Sequence, residues 1–282
     1  MSILLPCSII KTLIGIGRVS NVRYTEIRMH IYRARVAKNI IMEFAVPQNA
    51  QVQKKCRAII IASGMPSASN KHGIMEFLAG KGFWVFNPRY RGSWESGGTF
   101  LAQSPEKDIG DVIAALPKGF RDPWMRRSFR LKPAKLYIVA NSFGGPAGMF
   151  LTRYPRVTGV IAISPVVEWR KMGPAEPFDW LYGFVKEVFG EGYRMTRKTW
   201  NKLKGGKFYN PATNISRIDG EKLLIIHAKD DRSVPWRPVA AFAEKTGAKL
   251  IMLKRGGHLS SSLLSTPRHW DIAKKFMRTL GA

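Results

Sequence analysis

The sequence predicts an α/β domain: a mostly parallel central sheet flanked by helices. Three observations carry this. Short aliphatic runs, among them Ala58-Ile-Ile-Ile-Ala62 and Leu223-Leu-Ile-Ile-His-Ala228, have the continuous apolar character of strands covered on both faces. Between such runs lie segments with apolar residues at helical spacing, as at Asn70 to Lys81 and Ile109–Leu116. In the stretch Leu136–Phe150, a run of β-formers ends at Ala140 and passes through Asn141-Ser142-Phe143-Gly144-Gly145 into a helix-like segment. That is a strand turning sharply into a helix with a hydroxyl at its apex, near the positive end of the helix.

Composition bounds the answer. A chain of 282 residues, 45% of them hydrophobic, suits one large domain with an insertion and excludes global disorder. Cys7 and Cys56 have no metal or redox spacing, which argues against a disulfide framework and fits a reducing, cytoplasmic compartment. The five histidines form no close pair, so neither a metal nor another cofactor is expected. Net charge is +27, a field that favours nucleic acid or acidic membrane surfaces. The lysines and arginines are nevertheless spread along the chain, and no zinc finger, RNA-binding sheet motif or recognition helix appears. A solvated basic surface is the preferred reading, with any nucleic acid bound only weakly and non-specifically.

Met1 to Gly17 is apolar but broken by Pro6 and Lys11, far short of the about 20 residues a transmembrane helix needs. It lacks a basic start and a cleavage site, so no signal peptide is expected. Leu5, Ile9, Leu13 and Ile16 form one helical face, for packing on the domain or docking at a membrane surface. Residues 1–20 thus stand apart as an N-terminal apolar segment. Arg23–Arg33 and Ile40–Val46 read as an antiparallel pair at the sheet edge, with a turn at Pro47–Ala50. The strand Ala58–Ala62 ends in Ser63-Gly64-Met65-Pro66, and the helix through Ile74, Phe77 and Leu78 is ended by Gly82. Phe83–Phe86 is the next strand and runs into the loop Asn87–Gly98. A basic linker, Arg121 to Lys132, leads to the serine turn.

After strand Val157–Ile163 the strand–helix rhythm stops. Residues 166–216 carry many aromatics; Trp180, Phe184 and Val188 share one helical face, and Thr196 is placed to cap a second, lysine-rich helix. They read as a helical insertion between the two parts of the core, 21–165 and 217–282. The sheet resumes at Leu223, a further strand covers Ala248–Leu253, and Thr266-Pro267 starts a terminal helix with Trp270, Ala273, Met277 and Leu280 on one face.

Ser142 lies in a small-x-Ser-x-small pattern, with Ala140 and Gly144 as the small residues. Downstream, Asp230-Asp231 follows a strand, and Gly256-Gly257-His258 follows the next. The order serine, acid, histidine is that of α/β-hydrolases and differs from chymotrypsin-like and subtilisin-like chains. From about Ala58 to the C-terminus the sequence resembles the α/β-hydrolase superfamily. Its Asn87–Gly98 loop resembles the arginine-glycine loop of the esterase and prolyl-oligopeptidase-like branches, although Arg89 stands where many relatives have an acid. The resemblance implies a triad of nucleophile Ser142, base His258 and acid Asp231, with Asp230 as the local alternative. It implies an oxyanion hole from the backbone N–H groups of Phe143 and Met65; Ser63 replaces the usual histidine, but the group required is an N–H. Residues 166–216 take the place of a lid. Arg91 is expected to hydrogen-bond nearby carbonyls, and His227 to be structural. The expected activity is hydrolysis of a small-molecule carboxylic ester. A serine peptidase is the alternative, and a non-catalytic protein holding an acidic partner is a further one.

Overall fold

The computed structural model describes residues 30–47 and 56–280. The N-terminal segment 1–20 and residues 48–50 of the expected turn lie outside these. Strand β1 (Ile31–Val36) pairs antiparallel with β2 (Ile40–Ala45), and β2 pairs antiparallel with β4 (Trp84–Pro88). From β4 onward all pairings are parallel, through β3 (Arg57–Ala62), β7 (Lys135–Asn141), β8 (Gly159–Ile163), β9 (Leu223–Ala228) and β10 (Lys249–Leu253). The sheet order is β1-β2-β4-β3-β7-β8-β9-β10. The serine turn therefore leaves the middle of the sheet.

Both faces are covered, which explains why the central strands are apolar throughout. Ile59 and Ile61 of β3 pack beneath helices α1 (His72–Gly80) and α7 (Pro267–Thr279). Ile60, on the opposite face, packs with residues of α2 (Pro105–Ala115), α3 (Gly145–Phe150) and α6 (Trp236–Thr246). Pro at the first turn begins α2 and α7, where its missing N–H removes no helical bond. Among the described residues no helix is long and apolar enough to cross a membrane.

Three expectations are corrected. Of the expected first strand, residues 23–29 lie outside the described residues, and the described strand runs on past Arg33 to Val36: Tyr32, Ala34 and Val36 point inward while Arg33 and Arg35 alternate outward, and the chain reverses at Ala37 and Lys38, both at positive φ (46° and 70°). The basic linker is folded. It contains a small antiparallel pair, β5 (Phe120–Arg121) and β6 (Ser128–Phe129), whose phenyl rings stack on each other and edge-on to Phe44.

The third concerns the insertion. It forms α4 (Phe178–Phe189) and α5 (Arg197–Asn201), the latter capped by Thr196 in a reciprocal box with Thr199. Trp180, Phe184 and Val188 do share one face of α4, but the face that packs inward is a different one. Leu181 and Val185 are buried, while Trp180 is 50% exposed and Val188 58% exposed. The competing stripe wins because Phe178 and Tyr182 meet the fully buried Trp200, and Phe189 meets Tyr193.

Candidate active site

The serine turn is built by close packing. Asn141 is extended, and Ser142 then adopts φ +51°, a left-handed conformation that costs a non-glycine residue about 1–3 kcal/mol. Gly144 permits it: a Cβ there would lie 2.0 Å from the carbonyl oxygen of Ala62, on the neighbouring strand β3. Gly148 serves Ala140 in the same way, since a Cβ at 148 would come within 2.8 Å of the Ala140 methyl. The extra methyl of Ala140 is thus accommodated by a glycine one turn into the helix. The turn is also tied from outside. Val166 N–H donates to the carbonyl of Ser142 at 3.1 Å. Tyr209, fully buried, donates its hydroxyl to the Phe143 carbonyl at 2.7 Å and accepts from Ala147 N–H at 3.2 Å.

The loop after β3 lies against this turn. A Cβ on Gly64 would approach Ser142 Cβ to 3.2 Å and the Asn141 amide to 2.6 Å. Met65 follows it and is buried, as is Phe143. Tyr90 donates to the Ser63 carbonyl at 3.1 Å, and Tyr193 accepts from Ser67 N–H at 3.1 Å, so the insertion and the loop after β4 both brace this segment.

Beyond β9 the two aspartates have separate partners. Asp231 Oδ2 accepts from His258 Nδ1 at 2.8 Å, and Oδ1 accepts from the N–H groups of Ser233 and Val234, each at 2.9 Å. With that carboxylate as acceptor, the Nδ1 proton is fixed on His258 and Nε2 is left as the free lone pair. Asp230 instead accepts from Gly256 N–H (3.2 Å) and Gly257 N–H (2.9 Å), holding the backbone just before His258. On the far side, Leu259 N–H donates to Ser164 Oγ at 3.1 Å. Burial works against charge at Asp231, but the hydrogen bond and charge of His258 and the Val234 amide outweigh it and lower its pKa. Burial likewise opposes the imidazolium of His258; Asp231, with help from Glu176, more than compensates and raises its pKa. Glu176 also accepts from Ser233 Oγ at 2.9 Å.

The structure thus joins Asp231 to His258 and lays Gly64, the residue before Met65, against the turn that holds Ser142 and Phe143, with these loops following the C-terminal ends of parallel strands. His227 is fully buried, with Nε2 3.0 Å from the Val234 carbonyl, and burial lowers its pKa. Arg91 pairs mainly with carboxylates, Asp108 at 2.5 Å and Asp111 at 2.8 Å, adding Asn39 and one carbonyl, that of Ala37. The buried Arg89 finds its acid on β2, in Glu43 at 2.9 Å. Tyr209, Ser164 and Glu176 carry no motif; only the fold brings them to the site. Among the described residues no group of three or more His, Cys, Asp or Glu could hold a metal ion. A cavity of about 740 Å³ opens at the start of the insertion, lined by Trp169, Met172, Pro177, Phe178, Arg170 and Lys204 among others. Gly173 joins it to the acid loop, donating to the Ser233 carbonyl at 2.8 Å, and the ring of Trp169 packs on Phe143.

Several solved structures share this architecture. An esterase from Pyrococcus furiosus is 17% identical over 90% of this chain and 91% of its own, with a TM-score of 0.62. An acylaminoacyl peptidase from Pyrococcus horikoshii is 19% identical over 89% of this chain but only 40% of its own, with a TM-score of 0.56. A putative dipeptidyl aminopeptidase IV from Bacteroides ovatus is 20% identical over 90% of this chain and 36% of its own, with a TM-score of 0.62. At such identities the likeness establishes the α/β-hydrolase fold. No curated protein matches the sequence. The model of the prolyl oligopeptidase family matches residues 69–271, most of the chain and every strand from β4 to β10. Matched over more than half of its length, the chain belongs to the prolyl oligopeptidase family and is a serine hydrolase.

Proposed function

We propose that the protein is a carboxylesterase working through Ser142, His258 and Asp231. The observation that carries this reading is the Asp231–His258 hydrogen bond between the loops after β9 and β10, together with a serine held at positive φ at the end of β7 of the same sheet. Ser142 Oγ attacks the acyl carbonyl carbon while His258 Nε2 takes its proton; the lowered pKa of Asp231 keeps a carboxylate facing the imidazolium. The oxyanion accepts from the backbone N–H groups of Phe143 and Met65, and losing one such donor costs about 10²–10³-fold in rate. Collapse expels the alcohol, which takes the proton from His258. Water, deprotonated by the same nitrogen, then releases the acid from the acyl-enzyme.

We read the aromatic insertion as the lid, and its rings favour an ester of an apolar acid. A serine peptidase is the second reading, favoured by the family match. A fluorophosphonate probe should label Ser142, and Ser142→Ala should fold yet lose hydrolysis of short-chain aryl esters. Full activity in that variant would overturn the mechanism. Turnover of peptide anilides in preference to esters would favour the peptidase, and no turnover of either would favour a non-catalytic binding role.

A further inference from the structure

We propose that the β5–β6 hairpin is an interfacial anchor that docks this protein onto anionic phospholipid surfaces. At its tip, Trp124 is 79% exposed and Met125 52% exposed. Neither packs in the core, although the base of the same hairpin is well anchored there by Phe120 and Phe129. Arg126 and Arg127 follow the tip, Arg121 and Arg130 lie on its two arms and Lys118 and Lys132 at its base, and all are exposed. The single acid between 118 and 132 is Asp122, which is buried. Its carboxylate is occupied by the N–H groups of Arg33 (2.7 Å) and Met125 (2.6 Å), and its own N–H donates to the Arg127 carbonyl at 2.9 Å. The one negative charge is thus turned inward to shape the turn, and the charges that face solvent are all positive.

An apolar apex backed by cations on both arms matches a bilayer surface. The indole and thioether enter the boundary between headgroups and acyl chains, where tryptophan is enriched, while the guanidinium groups stay level with the phosphates. Each basic side chain near an anionic leaflet strengthens binding by about five-fold, with the effect fading within a Debye length. Nucleic acid fits less well. A strand-binding surface stacks bases on flat rings along a basic groove, whereas here the rings sit at a convex tip and Met125 has no face to stack.

The test is co-sedimentation of the full chain with sucrose-loaded vesicles, either pure phosphatidylcholine or phosphatidylcholine with phosphatidylglycerol at about 3:1. Binding to the anionic vesicles should exceed that to the neutral ones by about ten-fold or more. The double variant W124S/M125S and the charge reversal R121E/R126E/R130E should each lose about ten-fold or more of it. Arg127 is left in place because it donates to Tyr32 Oη at 2.8 Å. Both variants should melt like the parent and keep labelling of Ser142, so lost binding cannot be ascribed to misfolding. Equal binding of parent and variants, which would assign the contact elsewhere on the chain, overturns the proposal. So does loss in the charge variant alone, and so does duplex DNA retained through these residues at physiological salt with no vesicle binding.

Discussion

At the scale of single residues, two adjacent aspartates share a loop and differ in what they hold. Asp231 faces His258, whereas Asp230 accepts only from backbone N–H groups of the turn before it. Asp231→Asn should therefore lower kcat by about 10⁴-fold, the loss seen when a triad aspartate becomes asparagine. Asp230→Asn can still accept from one of its two glycines, and should stay within about ten-fold of the parent on the same assay. The opposite ranking would move the acid one position. Glu176 offers a finer test. Its negative charge favours the imidazolium of His258, adding to Asp231 against the effect of burial. The base must be neutral to act, so kcat/KM should fall as pH drops through a value above the ordinary histidine pKa of about 6.5. Glu176→Gln keeps an acceptor for Ser233 but removes the charge. The acid limb should then move to lower pH, with the plateau little changed. A shift to higher pH, or none, would show that Glu176 does not act on His258. Ser142, His258 and Asp231 were legible as candidates because their types, order and flanking glycines are local features of the sequence. Glu176 was not, because its approach depends on how the insertion folds back over the acid loop.

At the scale of elements, the serine turn is the part whose strain must be opposed by packing. Tyr209 reaches it from more than sixty residues downstream and bonds both Phe143 and Ala147. Tyr209→Phe leaves a buried carbonyl and a buried N–H without this partner, a loss of about 1–3 kcal/mol. For a chain of this size each kcal/mol corresponds to about 2–4 °C in Tm, so a fall of several degrees in a thermal melt is expected. An unchanged Tm would mean that the turn is held by its glycines alone. The parallel strands and the helices between them could be read from the chain because covered strands are continuously apolar and helices repeat every 3.6 residues. Two elements escaped that reading. In β1 the alternating arginines dilute the apolar run, so period-two burial of Tyr32, Ala34 and Val36 was hidden. In α4 two apolar stripes lie side by side, and only the partners Trp200 and Tyr193 decide which one turns inward. Periodicity identifies a helix with an apolar face, but where two faces compete the choice belongs to tertiary contacts.

At the scale of the whole molecule, charge and catalysis are separable, and salt is the means of separating them. The +27 net charge sets up a positive field around the chain, and that field is screened beyond about 8 Å at physiological ionic strength. An uncharged ester gains nothing from such a field on its approach to Ser142. Its kcat/KM should therefore stay within about three-fold between low salt and 0.5 M. An anionic ester of the same acyl chain should be favoured at low salt and lose that advantage as salt rises, because its encounter rate is steered. Ion pairs within the site do not reverse this expectation: the Asp231–His258 hydrogen bond joins a fully buried carboxylate side chain to a ring only 28% exposed, where bulk ions screen poorly. Parallel salt titrations of the two substrates make the comparison internal to one protein preparation. Steep salt sensitivity for the neutral ester would show that the positive surface acts on the chemistry itself. Indifference there, with decline for the anionic ester, would leave the excess charge to act outside the site, on whatever acidic surface the protein meets.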